Sequence, residues 1–149
     1  MRSPDDAAEV LLIEDSPDDA AFFIHTLNRS GVSARLHVVS DGAAALDFIF
    51  GPGPEAKREV QHRPRLIVLD LKLPKVDGLG VLRALKSDPR TLAIPVVVLS
   101  SSHEGRDVTA SYRQGVNSYV VKPMDFDQYG ETVTSLARYW LQINQTPEN

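Results

Sequence analysis

The segment Arg65-Leu66-Ile67-Val68-Leu69-Asp70-Leu71-Lys72-Leu73-Pro74-Lys75-Val76-Asp77-Gly78 decides the fold of this chain. Its apolar run, Leu66 to Leu69, is too short for a helix and rich in branched side chains. A run without polar alternation reads as a strand buried on both faces, as in a parallel sheet covered by helices. Asp70 ends the run, so its carboxylate stands where the strand leaves the core. In open parallel sheets, ligands bind in the crevice beyond the strands' carboxyl ends. Pro74 and the Asp77-Gly78 pair then turn the chain towards a helix. One Asp at such a place commonly does no more than end a strand. Asp70 needs companions before it becomes a site.

Composition bounds what those companions can do. A chain of 149 residues, 42% hydrophobic, suits one domain around a single core. A formal net charge of -4 gives no bulk attraction to nucleic acid or to an anionic membrane. The absence of cysteine excludes disulfides, Cys-type zinc sites and thiol catalysis, and it suits a cytoplasmic location. No apolar stretch approaches the roughly 20 residues of a membrane span. The expected organisation is a polar segment over 1–8, one domain over 9–144 and a polar tail over 145–149.

Working outward from the quoted segment, the chain alternates between strand and helix patterns. Val10 to Ile13 is an apolar strand closed by Glu14-Asp15. Ser16-Pro17-Asp18-Asp19 then opens a helix, with a capping Ser, Pro in the first turn and two Asp that complement the dipole. Ala20, Phe23, Ile24 and Leu27 follow at helical spacing, and Gly31 ends that helix. Leu36 to Val39 is a second strand, and a short helix runs from about Ala43 to Phe50. The stretch 51–64 holds three prolines and two glycines, which predicts an extended loop. Beyond the quoted segment come a helix over 79–86, a strand over 95–99, a polar helix over 105–114 and a short strand over 119–121. A last helix is expected over 125–143. Five strands alternating with five helices predict a doubly wound, flavodoxin-like α/β sandwich.

The chemistry gathers at one edge. Four of these strands end in Glu14-Asp15, Asp70, Ser100 and Lys122, and in a parallel sheet all four ends face one crevice. Clustered carboxylates repel and raise one another's pKa unless a cation lies among them. A hard divalent cation such as Mg²⁺ takes oxygen ligands and keeps several waters, so one or two carboxylates suffice. The remaining carboxylate can act as a nucleophile towards a phosphoryl group, with hydroxyl and ammonium sharing charge on its oxygens. Each part alone has a bland alternative: a polar strand end, a loop serine, a solvated lysine. Their joint placement favours the site. The histidines at 25, 37, 62 and 103 lack ligand spacing and read as surface or loop residues.

With these residues in place, the sequence resembles the receiver domain of two-component response regulators. The resemblance covers about Val10 to Leu141. It rests on Ile13-Glu14-Asp15, on Asp70 with Pro74 and Asp77-Gly78, on Ile94-Pro95 before Ser100, and on Tyr119-Val120-Val121-Lys122-Pro123. It implies that Asp70 accepts a phosphoryl group from a histidine kinase. It implies that Asp15, Asp70 and the main-chain carbonyl of Lys72 bind Mg²⁺, with Glu14 acting through metal-bound water. Ser100 is then the switch hydroxyl, Tyr119 the switch aromatic, and Lys122 the phosphoryl-facing lysine, joined to Pro123 by a cis bond. Phosphorylation is expected to draw Ser100 inward and rotate Tyr119 into the space vacated.

More narrowly, Glu14-Asp15-Ser16-Pro17-Asp18-Asp19, the 51–64 loop and Asp70-Leu71-Lys72-Leu73-Pro74-Lys75 resemble the phytochrome-associated, single-domain branch. That implies a phytochrome-type kinase as donor, with Lys72 standing where the branch carries Asn. With one receiver using nearly all of the chain, output is expected through protein contact, a change of oligomer or onward transfer. Phe126, Tyr129, Val133 and Leu136 supply the apolar stripe that the last helix needs for its own core. Tyr139, Trp140, Leu141 and Ile143 continue beyond it and predict a homodimer interface. Two other readings are weaker. A haloacid-dehalogenase-type phosphatase needs Asp-x-Asp, and Lys72 occupies the second position. A flavodoxin-like cofactor binder needs a phosphate loop after the first strand, which is missing.

Overall fold

The structure is a computed structural model and describes residues 7–51, 60 and 62–147. Five strands, β1 (Ala8–Ile13), β2 (Ala34–Val39), β3 (Leu66–Leu69), β4 (Val96–Ser100) and β5 (Ser118–Val121), form one sheet in the order β2-β1-β3-β4-β5. Every neighbouring pair is parallel. Between the strands run α1 (Pro17–Arg29), α2 (Gly42–Phe50), α3 (Gly78–Lys86) and α4 (Gly105–Arg113), and α5 (Phe126–Arg138) follows β5. The doubly wound sandwich expected from the sequence is the observed architecture.

Successive strand residues feed opposite faces, which explains why the runs are continuously apolar. Val10, Leu12, Leu66, Val68, Val97 and Leu99 pack with Phe23, Leu27 and Val133 beneath α1 and α5. Leu11, Ile13, Ile67, Leu69, Val96 and Val98 pack with Ile49, Val81, Leu82 and Leu85 beneath α2 and α3. β3 lies at the centre and is wholly buried. Its far end carries Asp70 out at the same level as the ends of β1 and β5.

Capping side chains set where helices begin. Ser16, Asp41, Asp77 and Asp125 each accept a hydrogen bond from the main-chain N–H three residues on, in the helices that follow them. Gly78 is confined: a Cβ there would overlap the main-chain oxygen of Asp70 and the Cα of Leu71. Only glycine lets α3 start this close to the end of β3.

Several expectations are corrected. The last helix reaches Ile143, but its α-helical part, α5, ends at Arg138 and Tyr139–Ile143 form a π-helical turn. Leu141, four residues beyond buried Ala137, packs into its own core, where it is 6% exposed, so it is not a free interface residue. Tyr139 and Ile143 stay exposed, and Trp140 is half-buried against the same core. Phe126, assigned to the core, is 54% exposed and meets Phe22 edge-on across α1. Ile24 is also exposed, because it lies on the solvent side of α1. His37, read as a surface or loop residue, is half-buried within β2; its ring lies beside Phe48, on which His62 stacks. Most of the 51–64 loop, residues 1–6 and residues 148–149 lie outside the described residues.

Candidate functional site

β1 ends in Glu14 and Asp15, β3 in Asp70, and β5 in Lys122. Parallel register brings these ends together, with Ile13 paired to Leu69 and Asp70 N donating to Ile13 O at 3.0 Å. Glu14, Asp15 and Asp70 each offer a carboxylate oxygen, and the three atoms lie within 4.8 Å of one another. Glu14 is buried and Asp70 is 8% exposed, whereas Asp15 is open to solvent. This donor set fits a hard divalent cation: all-oxygen, anionic, and open on the Asp15 side for retained waters.

Lys122 projects into the cluster from the other side. Its Nζ donates to Glu14 Oε1 at 2.5 Å, to Asp19 Oδ2 at 2.8 Å and to Asp70 Oδ2 at 3.2 Å. Burial by itself favours a neutral amine, but the hydrogen bonds Lys122 donates to Asp19 and Glu14 and the charge of Asp70 outweigh it. Lys122 is therefore held above its ordinary pKa and stays cationic. Burial pushes the Glu14 carboxyl up to about 7; the Lys122 hydrogen bond opposes this and the Asp70 charge adds to it. Glu14 Oε2 also accepts from Ser16 N at 3.3 Å, so both of its oxygens are held.

Asp70 itself is held loosely. Oδ1 accepts from Lys72 N at 3.3 Å and Oδ2 from Lys122 at 3.2 Å, both long for charge-assisted bonds. The Lys72 side chain is exposed. The Lys122–Pro123 bond is not cis, since no cis peptide occurs among the described residues. Trans is the intrinsically preferred form of an X–Pro bond, and from it Lys122 already reaches all three carboxylates.

Ser100 is fully buried at the end of β4, and its hydroxyl accepts from Ser102 N at 3.2 Å. Tyr119 is half-buried against the α3 side of the core, and its hydroxyl donates to Ser102 O at 2.8 Å. Burial raises the Tyr119 pKa, so the phenol keeps the proton it donates. Ser100 and Tyr119 thus both hold the main chain of Ser102, one at its N–H and the other at its C=O.

Two residues of the site escaped the sequence reading. Asp19 was assigned to the helix dipole, yet its carboxylate crosses to Lys122, 103 residues away. No local pattern signals this contact, which depends on how α1 and the end of β5 meet. Tyr129 of α5 was assigned only to the core, yet its hydroxyl donates to Asp19 O at 3.3 Å. Among the described residues, no helix is long and apolar enough to cross a membrane.

The model of the response regulator receiver domain matches residues 10–134. The chain is 39% identical over 141 residues to a probable methanogenesis regulatory protein, FilR2 of Methanothrix harundinacea, covering 93% of this chain and 86% of that one. It is 38% identical over 138 residues to the response regulator Rcp1 of Synechocystis sp., covering 93% and 92%. The crystal structure of Mn²⁺-bound Rcp1 superposes with a TM-score of 0.85 over 95% of this chain and 99% of that one. That of the phosphorylated cyanobacterial phytochrome response regulator RcpA, 36% identical, does so at 0.86 over 95% and 99%. These matches bear out the resemblance, including its similarity to phytochrome-associated regulators, and they do not favour the phosphatase or flavodoxin alternatives. The chain belongs to the response regulator receiver domain family.

Proposed function

We propose that this chain is the phosphoacceptor of a two-component phosphorelay, taking a phosphoryl group from a histidine kinase onto Asp70. The observation that carries the reading is the convergence of Glu14, Asp15, Asp70 and Lys122 at one sheet edge. In the transfer, an Asp70 carboxylate oxygen bonds to phosphorus as the donor's N–P bond breaks, and the electron pair returns to the imidazole. Glu14, Asp15, Asp70 and the Lys72 carbonyl are the groups that would hold Mg²⁺, which supplies charge neutralisation for the phosphoryl oxygens. Lys122 neutralises the side opposite Asp15, and its three N–H donors can be reassigned from carboxylates to phosphoryl oxygens. Ser100 and Tyr119, linked through the main chain of Ser102, are the elements that would report the new charge to α4.

Incubation with acetyl phosphate and Mg²⁺ tests the assignment. The expected result is a single phosphoryl mass gain, labile to hydroxylamine and lost in Asp70→Asn. Equal labelling of that variant overturns it.

The finer readings rest on similarity. Because RcpA is described as a phytochrome response regulator, the donor we propose is a phytochrome-type kinase, and the setting is the cytoplasm. Phosphotransfer profiling against the host's kinases tests this, and preferential transfer from another kinase overturns it. Homodimerisation is proposed through exposed Tyr139 and Ile143 with half-buried Trp140, whose ring meets Tyr139 edge-on at 5.0 Å. Aromatic and aliphatic groups exposed together beside a helix end are favoured interface anchors.

A further inference from the structure

We propose that Asp19 is a positioning residue that parks the Lys122 ammonium and competes with a phosphoryl group on Asp70 for it. This rests on the phosphoacceptor reading above. An ammonium has three donors, and Lys122 spends them on Glu14, Asp19 and Asp70, the contact to Asp70 being the longest. Glu14 and Asp70 also belong to the carboxylate triad that fits a cation. A cation there would draw on the same two carboxylates, whereas Asp19 lies outside the triad and is free to keep its hold on Lys122.

The anchor is built, because two elements fix it. Asp19 is in the first turn of α1, its N–H bound to the capping Ser16 hydroxyl at 3.3 Å. Its main-chain oxygen accepts from Tyr129 of α5, a residue only 7% exposed. The carboxylate itself lies at the solvent edge, its side chain 36% exposed. It can therefore release the ammonium and rehydrate, which a buried carboxylate such as Glu14 cannot do without loss. Lys122 accordingly has one buried partner, one partner that becomes the phosphoryl carrier, and one surface partner to leave. Neutralising Asp19 removes the competitor and favours the state in which Lys122 faces the phosphoryl oxygens.

Beryllofluoride, a phosphoryl mimic that binds the acceptor carboxylate without a covalent phosphorus, provides the probe. Its affinity is measured in excess Mg²⁺ by fluorescence titration for the parent, Asp19→Asn, Lys122→Ala and the double variant. Asp19→Asn keeps the shape and an acceptor oxygen, and its melting temperature controls for folding. The expected result is binding about three- to tenfold tighter in Asp19→Asn, a gain that vanishes in the Lys122→Ala background. An unchanged or weakened affinity in Asp19→Asn overturns the proposal. So does the same gain without Lys122, which reduces Asp19 to a background negative charge. A parent that binds no beryllofluoride overturns the phosphoacceptor reading as well, so the two failures are distinct.

Discussion

Lys122 sets its ammonium 2.5 Å from Glu14 Oε1, across 108 residues of sequence. Side-chain exposures of 10% and 4% make this a buried ion pair. Breaking such a pair from one side costs more than an exposed pair is worth. Glu14, already raised to about 7 by burial, is then left beside Asp70 without its counter-ion and is driven to take up a proton. The pair therefore couples the end of β5 to the end of β1 and keeps the site assembled.

Lys122→Ala is expected to destabilise the metal-free protein by on the order of 3 kcal/mol. A divalent cation is expected to restore more stability to this variant than to the parent, because it takes over the neutralisation of Glu14 and Asp70. Urea denaturation in chelator and in excess Mn²⁺ checks both statements. Equal stability of variant and parent in chelator would refute them.

Asp15→Ala separates binding from folding. Asp15 is exposed, while Glu14 is buried and paired with Lys122. The substitution should leave metal-free stability within about 0.5 kcal/mol and abolish the thermal shift produced by Mg²⁺. A full Mg²⁺ shift in Asp15→Ala would place the cation elsewhere.

Gly78→Ala tests how tightly α3 is seated under the acceptor. The added methyl overlaps the Asp70 main-chain oxygen and the Leu71 Cα, both on rigid backbone. The expected cost is about 2 kcal/mol or more, with a loss of acetyl phosphate labelling beyond what destabilisation explains. Labelling rates measured well below the melting temperature distinguish the two effects. Parent-like stability would mean that the start of α3 moves freely.

Lys86 carries a pH signature. Its ammonium donates to Leu92 O at 2.9 Å and Ile94 O at 2.7 Å, and burial lowers its pKa from 10.5 to about 8. Between these values the unfolded chain keeps a proton that the folded chain has given up. Stability contributed by this group therefore rises with pH from about 8 to 10.5, by up to about 1.4 kcal/mol per unit. The difference in denaturation midpoints between the parent and Lys86→Met, followed across the window, isolates it. A constant difference would show that Lys86 titrates normally.

The π-helical turn makes a prediction that sorts its own residues. Leu141→Ala should cost about 2–4 kcal/mol, as a core truncation does. Tyr139→Ala with Ile143→Ala should leave stability nearly unchanged and shift the protein to monomers in light scattering over a concentration series. A double variant that pairs as tightly as the parent would remove this surface from the interface.

Periodicity and punctuation along the chain determined the elements. Runs such as Leu66 to Leu69 and Val96 to Leu99 read as strands buried on both faces, and Ser16 announced the helix it caps. The triad of Glu14, Asp15 and Asp70 was legible for the same reason: parallel strands end at one edge, so residues after strand ends must meet. Tertiary structure decided the rest. Asp19 meets Lys122 only because α1 and the end of β5 converge over the sheet, which no local pattern encodes. Leu141 turns inward because it continues the buried series of Tyr129, Val133 and Ala137 and the core reaches further along the helix than the expected end of the sheet suggested. The trans Lys122–Pro123 bond likewise lies beyond sequence spacing, since the two isomers differ intrinsically by only about 0.5–1 kcal/mol and the surrounding fold selects between them.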